Sequence, residues 1–348
     1  ADLCHRYLDE WALCDELGLN IMVNEHHTTA TCTTSVCTVP MSILARETRD
    51  ARLLCLGMPI ANRMDAIRVA EEYAMIDVIS RGRLEMGFVK GAPFEISPAN
   101  SNPATLMERF WEAHDLILKA MSTHDGPFNW EGQHFQYRQV NVWPRPYQAP
   151  HPPVWMTVAS PESARAVGER GYVIASLNTG YTRTPAIFEA YRAGARAEGR
   201  DVNPDRFAYL AIVGVGDTDD EGRRRAHQIL DYSRTTPRTA EQFWFPPGYT
   251  SAEATGQVLK ERGPLKIPLR DGRLATMQTA SVDEFVDAGI AFAGNPDTVY
   301  EQIREFSAHV GGIGHLLMMG QGGHITHEDT VSNLSLFSRE VLPRLACL

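Results

Sequence analysis

The chain has 348 residues, 43% of them hydrophobic, enough to bury the core of one large domain or two ordinary ones. Its net charge is −10, long basic runs are absent, and Arg223-Arg224-Arg225 lies beside Asp219, Asp220 and Glu221 in a helical pattern, so nucleic-acid binding is disfavoured. No apolar run of ~18 residues and no signal peptide is visible, and Cys4, Cys14, Cys32, Cys37, Cys55 and Cys347 show no CxxC spacing, which reads as reduced thiols in a cytoplasmic protein.

Apolar residues at helical spacing predict a helix over Leu3–Leu17, and the run Leu19–Val23 predicts a buried strand. Helix Val39–Arg49, strand Leu53–Met58, helix Asp65–Ile79, strand Leu84–Val89 and helix Thr105–Met121 come next. Asp125–Pro152, rich in Trp, Pro, Tyr and Gln, breaks the rhythm and is expected to be an irregular excursion. Strand Pro153–Val158 resumes it, and Ser160-Pro161-Glu162-Ser163 opens a helix. Strands Tyr172–Ser176, Phe207–Val215 and His315–Met319 follow, with helices Pro185–Ala197, Asp219–Tyr232, Pro296–Ala308 and Asp329–Leu345. Thr235–Ala293 lacks this periodicity and carries Phe243-Trp244-Phe245-Pro246-Pro247-Gly248-Tyr249; it reads equally as a lid or a subunit interface.

Strands alternating with helices mean βαβ units and a parallel sheet. Seven strands are counted, so an eight-stranded barrel would need one upstream of Ala1, or else a strand has escaped this reading. The alternative is a doubly wound open sheet. No GxGxxG follows any strand, which disfavours a dinucleotide site of the Rossmann type.

At the carboxyl ends of these strands stand Glu25-His26-His27, Gly57-Met58-Pro59, Lys90-Gly91, Ala159-Ser160 and Gly320-Gln321-Gly322-Gly323; a barrel brings all of them to one mouth. Imidazole exchanges protons near neutral pH. Ser160 at a helix N-terminus suits a phosphate, and Lys90 adds a charge to the same anion. This inventory fits a phosphorylated cofactor with a flat reactive ring. Taken singly, the EHH run could be a solvated loop, Lys90 a solvated lysine and Ser160 a plain cap. His324 and His327 form an HxxH in a Gly-rich loop with no helix beneath them, and no metal site is expected there.

The strings themselves carry a resemblance. Glu25-His26-His27, Arg68 with Ala70-Glu71-Glu72, and Ile76-Asp77-Val78-Ile79-Ser80-Arg81-Gly82-Arg83-Leu84-Glu85-Met86-Gly87 resemble the bacterial luciferase-like, flavin-dependent monooxygenase family. So do Glu108-Arg109-Phe110-Trp111-Glu112, Trp130-Glu131-Gly132, Pro152-Pro153-Val154, Ser160-Pro161-Glu162-Ser163 and Ala293-Gly294-Asn295-Pro296, in the expected order.

The resemblance implies an α/β fold, a TIM (β/α)8-type barrel with insertions whose first strand is missing from the N-terminus of this chain. It implies a single domain over 1–348 with an insertion or lid at about 235–293. It further implies reduced FMN, supplied by a separate flavin reductase, which reacts with dioxygen at C4a to give a peroxyflavin. That species would oxygenate a small organic substrate, by Baeyer–Villiger chemistry or by hydroxylation. His26 falls on the family's catalytic histidine, and Lys90 on the position where luciferase has an arginine on the FMN phosphate. Val158, Ala159, Ser160 and Ser163 match the phosphate-side turn after the fifth strand. Gly57 and Met58 match the strand end where members often carry a non-proline cis peptide under the flavin.

Val89 stands where luciferase has a cysteine, so a thiol is not essential here. The loop Ala92–Asn102 does not follow luciferase, and light emission from long-chain aldehydes is not expected. Phe243, Trp244, Phe245, Tyr249, Trp143 and Trp155 suggest an apolar or aromatic substrate. The resemblance also implies a homodimer or larger. Two alternatives stay open: hydride transfer with deazaflavin F420, as in related members, and a non-catalytic flavin-binding relative.

Overall fold

The apolar runs form strands, and the amphipathic stretches form the helices between them. The computed structural model describes residues 1–29, 32–235, 243–244, 246–260 and 265–346. They divide into two compact units. One holds Asn20–Val154 with Pro237–Arg262; the other holds Ala1–Leu19, Trp155–Thr236 and Gly263–Leu348.

The first of these units is built on β1 (Ile21–Val23), β2 (Leu53–Pro59) and β3 (Leu84–Val89), all parallel, with Ile21 opposite Leu53 and Leu53 opposite Leu84. Every residue of β2 is buried, as expected for a parallel strand covered on both faces. The β2–β3 register shifts between Cys55 and Met58, where the Leu56–Gly57 peptide is cis. The two backbones run so close there that a Cβ on Gly87 would lie 2.3 Å from the Cys55 carbonyl oxygen.

Helix Ala66–Ser80 starts on Asp65, whose carboxylate accepts the Ile67 and Arg68 N–H groups at 3.0 and 3.1 Å. It ends on left-handed Arg81 and Gly82. The motif residues at this end are structural. Asp77, fully buried, accepts both the backbone N–H and the side-chain amide of Gln148 at 2.8 Å. Arg83 donates to the carbonyls of Ala45, Thr48, Ala51 and Ser80.

The 125–152 segment is more regular than its composition predicts. Phe128–Glu131 and Gln136–Val140 form an antiparallel hairpin. Glu112, on helix Leu106–Ser122, secures it by accepting from Trp130 Nε1 and from the N–H groups of His134 and Phe135 at 2.9–3.1 Å.

The other unit carries β4 (Val154–Val158, all but its first residue), β5 (Val173–Leu177), β6 (Phe207–Val215), β7 (Ala291–Gly294) and β8 (His315–Met319), again parallel. Strand β7, four residues long, escapes the sequence reading; it pairs with the carboxyl half of β6, Ala291 opposite Ile212. Residues 266–268 and 274–276 form a hairpin whose Ile267, Leu269 and Ala275 share a core with Phe285 and Ile290.

Helix Pro161–Arg170 packs against helix Gly180–Ala197 through facing glycines: a Cβ on Gly168 would sit 2.2 Å from the Tyr191 oxygen, and one on Gly194 2.2 Å from the Arg165 oxygen. The second helix begins at Gly180, five residues before the predicted start at Pro185. Pro185 has no N–H to give to the Tyr181 carbonyl. His309 Nε2 takes its place at 3.0 Å, so the helix passes through the proline. The predicted final helix is interrupted: α-helix His327–Leu336 widens to a π-turn at Phe337–Val341 just before Pro343.

Among the described residues no helix is long and apolar enough to cross a membrane, and no group of three His, Cys, Asp or Glu residues could hold a metal ion. His327 Nδ1 instead lies 3.0 Å from buried Glu10, which Arg6 holds at 2.6 Å and Gln321 also contacts.

Candidate active site

Because β1, β2 and β3 are parallel, their following loops emerge at one edge of their unit, and three of the predicted residue groups lie there. The first is the EHH run after β1. Glu25 is buried, and its two carboxylate oxygens both accept from Arg63 Nη2 at 2.9 Å. It also accepts the Cys37 N–H at 3.0 Å and lies 3.0 Å from His27 Nε2. Burial alone would raise its pKa; the His27 hydrogen bond, the Arg63 charge and the Cys37 N–H outweigh burial and hold the carboxyl below its usual range. The same hydrogen bond to Glu25 raises the His27 pKa, against the opposing effect of burial. His27 is thereby committed to Glu25.

His26 is placed differently. Its backbone N–H donates to the Thr34 carbonyl at 3.1 Å, and its Nδ1 lies 3.1 Å from Glu95 Oε1. Its side chain is 34% exposed, and its Nε2 makes no hydrogen bond among the described residues. Each histidine thus has one ring nitrogen on a buried carboxylate, His26 through Nδ1 on Glu95 and His27 through Nε2 on Glu25.

Glu95 closes the 3₁₀ turn Pro93–Glu95 after β3. Sequence reading misses it, since no periodicity or motif links it to a histidine 69 positions away. The second group, Gly57 and Met58, lies on the irregular part of β2, where both residues are buried. Beside it the carboxamide of Asn62, 9% exposed, has no partner at either atom among the described residues.

The third group is Lys90. Its ammonium donates to the Tyr249 carbonyl at 2.8 Å and sits 3.6 Å from the centre of the Tyr249 ring. Burial lowers its pKa. Tyr249 in turn donates to the Gly91 carbonyl at 2.8 Å; burial and the Glu95 charge push its phenol up to about 12. Trp244 packs on Phe94 with ring centres 4.9 Å apart. Phe243 is exposed, and Phe245 lies outside the described residues. Trp143 is also exposed, whereas Trp155, in the other unit, is buried against His315.

Val158, Ala159, Ser160 and Ser163 all belong to that other unit. Ser160 Oγ accepts the Ser163 N–H at 3.3 Å and donates to Ser163 Oγ at 3.1 Å. Both hydroxyls are at the surface, at the N-terminus of helix Pro161–Arg170, and Arg183 donates to the Ala159 carbonyl. Hydroxyls, first-turn N–H groups and the positive end of the helix dipole together fit a phosphate group.

The family profile described as Luciferase-like monooxygenase matches residues 5–312. Among curated proteins, an uncharacterized protein (y4wF) of Sinorhizobium fredii is 32% identical over 220 residues, 62% of this chain and 63% of that protein. The oxygenase component of a flavin-dependent trigonelline monooxygenase from Acinetobacter baylyi is 24% identical over 53% of this chain and 52% of its own. This chain thus spans about half to just under two thirds of those two relatives' lengths. 2,5-Diketocamphane 1,2-monooxygenase 2 of Pseudomonas putida matches more extensively, at 22% identity over 98% of this chain and 94% of its own.

Two solved structures extend the comparison. The oxygenating constituent of 3,6-diketocamphane monooxygenase from Pseudomonas putida, a type II Baeyer–Villiger enzyme in complex with FMN, superposes with a TM-score of 0.76 at 21% identity over 97% of this chain and 92% of that one. An F420-dependent secondary alcohol dehydrogenase gives a TM-score of 0.70 at 15% identity over 97% and 93%. These likenesses establish the fold class, α/β of the TIM-barrel type.

Proposed function

Because this chain belongs to the luciferase-like monooxygenases, we propose that it is the oxygenase component of a two-component system. It takes reduced FMN from a separate flavin reductase and uses dioxygen to oxygenate a small organic substrate, apolar or aromatic, with His26 as the catalytic residue. The observation that carries this reading is the anchoring of His26 Nδ1 on buried Glu95, which leaves Nε2 of a 34% exposed ring without a hydrogen bond among the described residues; His27 bonds Glu25 through Nε2 instead. A neutral imidazole in that state accepts or relays a proton at Nε2 near neutral pH.

When bound, reduced FMN supplies the electrons that activate dioxygen. The residues that the family resemblance assigns to hold it are Gly57, Met58, Lys90, Val158, Ala159, Ser160 and Ser163. The serine turn fits a phosphate as it stands. Lys90 gives one of its three N–H groups to the Tyr249 carbonyl, and as a point charge it grips an anion less specifically than an arginine fork. A second reading, F420-dependent hydride transfer, draws on the likeness to the alcohol dehydrogenase.

The test is oxygen uptake with a flavin reductase present, using trigonelline and diketocamphanes as first substrates and ¹⁸O₂ to follow the label into product. Label in product with reduced FMN supports the proposal. Anaerobic turnover with F420, and none with reduced FMN, would replace it by the second reading. His26→Ala should cut product formation while leaving FMN affinity nearly unchanged; full turnover in that variant removes His26 from the mechanism.

A further inference from the structure

We infer that Glu95 is the positioning residue of His26: its buried carboxylate holds the imidazole as the Nδ1–H tautomer, so that Nε2 presents a lone pair. This inference rests on the reading of His26 as catalytic. The Glu95 side chain is 1% exposed and is fixed from three sides. Its Oε2 accepts the Ala92 N–H at 2.6 Å, and its Oε1 accepts the His27 N–H at 2.8 Å and faces His26 Nδ1 at 3.1 Å.

An ionised carboxylate only accepts, so the nitrogen facing it must carry the hydrogen. In a neutral ring the proton-free nitrogen is then Nε2. The holder is itself rigid. The turn bearing Glu95 is closed by the Glu95 N–H donating to the Ala92 carbonyl at 3.0 Å, and Pro93 restricts its backbone. Gly91, with φ of +91°, leads into it, and a Cβ there would meet Asn62 Nδ2 at 2.7 Å. Of the nearby polar groups, His27 and Arg63 are engaged with Glu25, Lys90 with Tyr249 and Tyr249 with Gly91, while the Asn62 carboxamide has no partner among the described residues.

The three bonds also say why the residue is Glu. Glutamine offers one acceptor oxygen, and its NH₂ would face either the Ala92 N–H or the two donors at Oε1. One side of the clamp is lost in both orientations.

The experiment labels all histidines of the full chain with ¹⁵N and reads their tautomers from two-bond ¹⁵N–¹H correlations, assigning His26 by its absence in His26→Gln. The wild-type protein is expected to show His26 protonated at Nδ1; an Nε2–H ring overturns the inference without any variant. Glu95→Gln should mix the tautomers and lower kcat by about 100-fold, the scale of a displaced proton-transfer group, with KM for reduced FMN within twofold. Glu95→Asp should recover part of kcat. A Glu95→Gln protein with His26 still wholly Nδ1–H and kcat within twofold refutes the inference. If instead His26→Gln keeps full turnover, the catalytic reading of His26 fails, while the tautomer measurement still decides what Glu95 does.

Discussion

Arg63→Met tests the electrostatic core of the site. The substitution removes the only guanidinium hydrogen-bonded to Glu25 among the described residues and leaves that carboxylate buried, supported by the Cys37 N–H and His27. Removing one partner of a buried pair costs about 3–5 kcal/mol, because the remaining charge has lost its compensation. With an unfolding entropy of roughly 2.1 cal/mol/K per residue, 348 residues convert that into a fall in Tm of roughly 4–7 °C. The double variant Glu25→Leu/Arg63→Met leaves neither charge orphaned and should be less destabilised than the two single losses summed.

Differential scanning calorimetry of the four proteins across pH 3–7 is the assay. The Glu25 pKa is lowered in the folded state, so its contribution is present above the unfolded value and is lost as pH falls through the folded one. The gap between wild type and Arg63→Met should therefore hold at neutral pH and close in acid. A change in Tm below 1 °C at pH 7, or a gap that widens on acidification, refutes the reasoning.

Other expectations follow from the same structure. The His27 pKa is raised, so its pairing with Glu25 stabilises fully below the unfolded value and is lost as pH rises through the folded one; His27→Gln should flatten the fall in Tm above about pH 6.5. Burial pushes Cys14 up to about 12, and Cys37 well above its usual value through its bond with Cys55 and burial. Native alkylation read by peptide mass spectrometry should therefore label exposed Cys4 and spare Cys14, Cys37 and Cys55. Gly168→Ala places a methyl group against the Tyr191 carbonyl and should cost at least about 2 kcal/mol by urea denaturation; an unchanged midpoint would show that the two helices can part freely.

What the sequence makes legible is what repeats or what sits on a strand end. Leu53–Pro59 reads as buried because every residue is apolar or small, and His26 stands out because imidazole at a strand terminus is chemically suggestive. The hairpin of 128–140 had a signal in the alternating burial of Phe128-Asn129-Trp130-Glu131, hidden beneath an unusual composition. Strand β7 is too short for any periodicity to register. In 265–293, Ser281 and Glu284 form a capping box that marks a helix start. Glu95 had no such signal. Its role depends on where a turn folds back in space, and no local pattern encodes that.

The contact between His309 and the Tyr181 carbonyl ties two positions that share no chemistry of their own. Proline breaks one rung of a helix, and a ring from a distant helix splints it. Restoring an ordinary residue at 185 would make the splint dispensable, so exchanges at 185 and 309 should be tolerated together more readily than loss of the imidazole alone.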